Sequence, residues 1–290
     1  AVDPFYQTVN FTGPDGESVP VPMDDLAAYV EYGIEICINY ASQIGASAIL
    51  FVLLVILTKH EKRRSPIFIL NCLSLVVNIV RSVLQCLYFT GPFYNPYATM
   101  VFDYSQVPDS AYNISITASV FNLLLLICIE ASLVLQLRVV CITMSRRYRA
   151  WTMMGSVFVA LLAIGFRSAL TIENAMAIRD TESFGDYAWL SSASNITTSI
   201  CICFFSICFC AKLGFAIRNR QRLGLKQFGP MQIIFIMGCQ TLIIPSLFSI
   251  LQYVSDVPEF SSQVLTVVAI FLPLSSIWAS ASIDSTTMGS

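Results

Sequence analysis

The sequence predicts an all-α polytopic membrane protein, a bundle of seven transmembrane helices with its N-terminus outside and its C-terminus inside. Three observations predict it. Of 290 residues, 56% are hydrophobic and only 12% charged, about half the roughly 25% that a soluble globular protein carries. The apolar residues gather into seven long runs, and the basic residues between those runs keep to one side. A chain with too little charge to cover its surface in water has lipid as its main solvent.

A helix crosses the hydrocarbon with roughly 20 apolar residues. Seven stretches qualify in chain order, about 36–58, 66–89, 113–143, 151–174, 188–217, 229–253 and 260–282. Spans two, three and four carry the isolated charges Arg81, Glu130 and Arg167; each of the others has an uncharged run of sufficient length. The chain therefore divides into an N-terminal tail over 1–35, a bundle over 36–282 and the start of a cytoplasmic tail over 283–290.

The connections set the orientation. Loop one holds Lys59, Lys62, Arg63 and Arg64, and loop two holds Arg146, Arg147 and Arg149. The end of span five and the loop after it hold Lys212, Arg218, Arg220, Arg222 and Lys226, so 12 of the 16 basic residues share one side. Positive charge stays cytoplasmic during insertion. The tail before residue 36 has no Lys or Arg and reads as exported, with Asn10-Phe11-Thr12 as a glycosylation acceptor. The chain begins with Ala rather than Met, so further residues are expected before it, and it stops about eight residues past the last span, so a longer cytoplasmic tail is expected after it.

The ten cysteines all fall within or beside apolar runs and read as small buried hydrophobes rather than disulfide or metal partners. No metal cluster, nucleotide loop or catalytic triad is visible, so neither a cofactor, nucleic-acid binding nor an enzymatic activity is expected. No lysine follows Lys226, which excludes a retinal Schiff base in the last span. Transporters usually show internal repeats and broken helices in matching halves. Pro245 and Pro273 interrupt spans six and seven without a repeat, and a seven-span transporter or channel stays as the alternative class.

Several blocks resemble one family. They are Ser65-Pro66-Ile67-Phe68-Ile69-Leu70-Asn71, the run from Ile129 to Gln136, Leu223-Gly224-Leu225-Lys226-Gln227-Phe228, the run from Cys239 to Ser246, and the run from Leu272 to Ala279. In this order and spacing the chain resembles the fungal α-factor-type mating pheromone receptors, class D of the G-protein-coupled receptors. The resemblance implies a plasma-membrane receptor that binds a secreted peptide pheromone and activates a heterotrimeric G protein through its Gα subunit. It also implies an activation network containing Asn71, Gln136 and Gln240, and peptide contacts at Ser119, Asn122 and Tyr253. It implies a homodimer to which span one contributes.

The residues themselves carry a parallel reading. Polar groups inside a bundle are functional candidates or interhelical glue worth about 0.6 kcal/mol per hydrogen bond; both readings apply to Asn71, Ser74, Glu130, Gln136, Gln240 and Ser275. Pro245 and Pro273 each remove a backbone hydrogen bond and give their spans a place to bend. At 1.5 Å per residue Arg81 lies about 22 Å from Pro66, in the outer half, whereas Glu130 lies in the inner half. Arg81 is a candidate floor of the ligand pocket; Arg167 is at outer depth too and can also snorkel to the headgroups.

Fifteen of the 18 acidic residues lie on the outer side, either as the residue of excluding positive charge or as a vestibule for a cationic peptide. Inside, Arg218 to Arg222 leads to Leu225, Lys226 and Phe228, a composition for anionic lipid or for a docked Gα helix, with Arg220 central to the basic run. Ala41 and Gly45 stand four apart in span one with small neighbours, a spacing that lets helices approach closely. That approach is either within the chain or between two copies.

Overall fold

The computed structural model describes residues 7–180, 188–222, 243–254 and 260–287. At the N-terminus β1 (Thr8–Thr12) and β2 (Ser18–Pro22) form an antiparallel hairpin in the register Thr8↔Pro22 to Thr12↔Ser18. Gly16 turns it at φ 79°, a left-handed conformation that glycine adopts without a Cβ penalty.

Helix α1 follows at once, over Met23–Leu57, with Asp24 and Asp25 in its first turn, where carboxylates complement the positive end of the helix dipole. The N-terminal segment expected as a tail to residue 35 is thus a hairpin and three helical turns. The apolar period ends near residue 36, but propensity and the capping charges carry the helix on into water. At its other end Arg63 folds back and donates to the carbonyls of Val55 at 2.7 Å and Thr58 at 3.0 Å, satisfying acceptors that a helix end leaves open.

The remaining helices are α2 (Pro66–Phe89), the short α3 (Pro96–Val101), α4 (Asp109–Val140), α5 (Arg146–Asp180), α6 (Ala188–Arg222), α7 (243–251) and α8 (Phe260–Thr287). Ser65 caps α2 by accepting from the Phe68 amide at 3.2 Å, and Pro66 supplies the first helical position. Among the described residues five helices are long and apolar enough to cross a membrane, and Phe260–Leu274 is a shorter apolar helix. At 35 residues, α5 and α6 reach about 52 Å, well beyond a hydrocarbon core of about 30 Å. The basic residues Arg218 to Arg222 lie in the last turns of α6.

Burial is inverted relative to a soluble bundle. One face of α1 buries Tyr40, Gln43, Ser47, Leu50 and Leu54, while Ile38, Ile49, Val52 and Ile56 are exposed. Lipid tolerates the exposed apolar face, and the polar groups must find partners inside. The apolar core forms around α4, where Leu125, Leu126, Ile129, Leu133 and Leu137 pack with Phe205 of α6 and Val268 of α8. The nine described cysteines are free thiols, of which Cys128, Cys141 and Cys201 are buried and six are half-buried. Full burial was expected of all; lipid-facing positions make half-burial equally comfortable for a small apolar thiol.

The outer end is tied together by aromatic side chains. Tyr29 stacks on Tyr94 with ring centroids 4.2 Å apart, the Tyr94 hydroxyl donates to the Tyr29 carbonyl at 2.7 Å, and Tyr97 donates to Thr12 of the hairpin at 3.0 Å. Burial, then the neighbouring Tyr29, Tyr32 and Tyr88, push the Tyr94 phenol up to about 12, which keeps it a donor. A Cβ on Gly33 would stand 2.6 Å from the Tyr94 ring. Gly33→Ala is therefore expected to displace Tyr94 and loosen the hairpin by about 1–3 kcal/mol. Hydrogen exchange over residues 8–22 in nanodiscs checks it, with protection expected to fall about tenfold or more.

Candidate functional site in the outer half of the bundle

On α2 the polar residues Asn71, Ser74, Asn78, Arg81 and Ser82 are all buried. Their spacing follows the 3.6-residue period, so they form one stripe facing α1, α4 and α8. Arg81 is 1% exposed, and its guanidinium serves three other helices. It donates to Gln43 of α1 at 2.8 Å, to Asn122 of α4 at 3.2 Å, and to Ser262 and Thr266 of α8 at 3.0 and 3.4 Å. The Tyr40 ring lies 5.7 Å away on a cation–π axis.

The partners bond among themselves as well. Thr266 donates to Gln43 Oε1 and stands 3.0 Å from Asn78 Oδ1, and Asn78 donates to Ser47 at 2.8 Å. A planar fork of donors is the group suited to holding several acceptors at fixed angles.

Deeper in the bundle, the Ser132 hydroxyl of α4 donates to Asn71 Oδ1 at 2.7 Å and Gln136 Nε2 donates to Ser132 at 3.3 Å. Asn71 and Gln136, both expected in an activation network, thus meet through Ser132. Glu130 faces α6, where the Cys201 thiol donates to Oε2 at 3.0 Å. Arg81 and Glu130 have separate partners, in agreement with their different depths.

Two further polar groups line the outer half. Asn174 of α5 donates to Ser119 of α4 at 2.7 Å. Arg167 is half-buried and turned to Ser194 of α6 at 3.5 Å, lining a cleft with Asn195, Thr198, Ser199, Gln252 and Ser261. Arg167 thus reaches Ser194 of α6. Tyr253, 54% exposed, has its hydroxyl 3.2 Å from Ser199.

The structure thus joins Arg81 to Asn122, whereas Ser119 and Tyr253 have their own partners, Asn174 and Ser199. Pro245 is buried in α7, and Pro273 lies within a continuous α8. Asn10, Ala41 and Gly45 are exposed. Arg220 lies on α6 and Ser275 on α8; Gln240, Leu225, Lys226 and Phe228 lie outside the described residues.

Sequence reasoning missed Gln43, Asn78, Ser262, Thr266, Asn174, Ser199 and Gln252. The helical period from Asn71 through Asn78 to Arg81 was the one available signal. Neutral polar residues elsewhere in a span become informative only when their partners are known.

An apolar-surfaced bundle of long helices with polar side chains buried between them defines a polytopic helical membrane protein. The family model for the fungal pheromone mating factor STE2 GPCR matches residues 2–280, and the chain belongs to that family. It is 31% identical over 292 residues to the pheromone alpha factor receptor of Saccharomyces cerevisiae, covering 96% of this chain and 65% of that protein. It is 28% identical over 298 residues to the pheromone alpha factor receptor of Lachancea kluyveri, covering 98% and 67%. It is 26% identical over 289 residues to the pheromone P-factor receptor of Schizosaccharomyces pombe, covering 95% and 80%.

Proposed function

We propose that this chain is the membrane bundle of a plasma-membrane receptor that binds a secreted peptide mating pheromone at its outer side and activates a heterotrimeric G protein inside. The observation that carries this reading is the family match over residues 2–280. The outer-half polar cluster around Arg81 and Asn122, with Ser119 and Tyr253, supports a peptide site there. Polar groups buried between spans are expensive unless used. The acidic outer surface favours a cationic peptide by steering, and the exposed Asn10 on β1 is accessible to glycosylation.

The receptor should stimulate nucleotide exchange on a fungal Gα when a synthetic pheromone peptide binds. Ion or solute flux in liposomes without such exchange would favour the transporter alternative.

We assign the dimer to α1. Ala41 and Gly45 are exposed, and a Cβ at position 45 meets nothing within 4 Å, which argues against contact with spans two or seven. Gly45→Leu should therefore leave folding and peptide binding intact while weakening association by about 1–3 kcal/mol. Energy transfer between differently tagged copies at matched expression measures it; an unchanged signal removes span one from the interface.

A further inference from the structure

Apart from the Arg81 cluster, a second polar group joins α6 to the outer end of α7, and of its members only Tyr253 has been given a role, as a peptide contact. Its centre is Ser199, which is 8% exposed. A serine hydroxyl offers one donor and two acceptor lone pairs. Gln252 Nε2 donates to Ser199 Oγ at 2.6 Å, and the Tyr253 hydroxyl lies 3.2 Å from it. The carbonyls of Asn195 at 2.9 Å and Ser249 at 3.4 Å are within reach of its own proton. The hydroxyl is thereby fully used. Gln252 also donates to the Ser249 carbonyl at 2.9 Å, and one turn deeper Cys203 Sγ lies 3.8 Å from Ser249 Oγ.

The segment so held begins beside a proline and closes on side-chain and three-residue bonds. Pro245, four residues before Ser249, supplies no backbone N–H and interrupts the helical ladder on its inner side. Ser246 and Ser249 return their hydroxyls to the carbonyls of Ile243 and Ser246 at 2.7 and 2.8 Å, side-chain bonds of the kind that bend helices. The last turn closes on three-residue bonds, from Tyr253 to Ile250 at 3.1 Å and from Val254 to Leu251 at 3.0 Å. The cleft beside it is lined by Ser199 and Gln252 themselves, with Arg167 opposite. A polar ligand group entering that cleft can bond Ser199 only by displacing a bond already made.

We propose that Ser199 and Gln252 form a latch between spans five and six that exchanges its hydrogen bonds when ligand occupies the cleft, and that signalling requires this exchange. The inference rests on the receptor reading above. Ligand binding and helix separation are then thermodynamically linked, and each must alter the other by the same factor.

Ser249→Cys tests the latch with a single substitution, because it sets a thiol opposite the native Cys203. Oxidation by copper phenanthroline and dioxygen removes two protons and two electrons and forms one S–S bond between spans five and six. The full chain in nanodiscs is measured before oxidation, after it and after reduction, with the parent chain treated identically. The crosslinked variant is expected to lose stimulated exchange at saturating peptide and to bind peptide about 5–150-fold more weakly. Dithiothreitol restores both, which a misfolded variant would not do. Unchanged exchange in fully crosslinked variant, with a responsive parent, overturns the latch alone. Failure of the two thiols to crosslink overturns its geometry. A parent that no pheromone peptide stimulates overturns the receptor reading and the latch with it.

Discussion

Arg81→Leu is expected to destabilise the bundle by about 2–4 kcal/mol, since it orphans buried acceptors at about 1–3 kcal/mol each. Leucine removes the donor to Gln43, Asn122, Ser262 and Thr266 together. Thr266 still bonds Gln43, which moderates the loss. Replacing an entire buried polar cluster by apolar residues can be neutral or even stabilising, but here a single member changes while its polar partners stay buried. Arg81→Lys keeps the charge yet lacks the planar fork, so it should fall between parent and leucine. Reversible unfolding of the three proteins in one lipid composition measures the series. Parent-like stability of Arg81→Leu would show that the neutral groups sustain the cluster by themselves.

Replacing Leu225, Lys226 and Phe228 together with alanine is expected to abolish Gα activation while peptide affinity stays within about threefold, because an interaction made only with the inner partner contributes nothing to ligand contact. Helix α6 carries the chain through Arg222, and its 35 residues span about 52 Å, more than a hydrocarbon core of about 30 Å. An apolar pair beside a basic run suits a partner helix, whereas lipid attraction alone needs only the basic residues. Nucleotide exchange and peptide binding, both at matched surface expression, separate the two. Full exchange in the triple variant would leave this loop a topological role only.

The two predictions differ in how far they were legible in advance. Arg81 is visible in any reading of span two, because a charge in an apolar run is expensive and has to be explained. Its outer depth follows from rise per residue alone. Its partners were hidden: Gln43, Ser262 and Thr266 are ordinary residues in their own spans, separated from Arg81 by 38, 181 and 185 positions. Asn122 was found through resemblance, and its bond to Arg81 was not. The tail before residue 36 went the other way, since an amphipathic helix end outside the membrane lacks the apolar run that marks a span.

Composition, span length and the one-sided placement of 12 basic residues determine by themselves that this chain crosses a membrane as helices and which end faces out. Those properties are summed along the chain and need no knowledge of what touches what. Tertiary structure alone decides that α1 turns Gln43 inward and Gly45 outward, that Arg81 of α2 bonds to three other helices, and that Ser199 accepts from Gln252 of span six. A helix offers every side chain some direction, and only the packing of its neighbours determines which polar group meets a partner and which faces lipid.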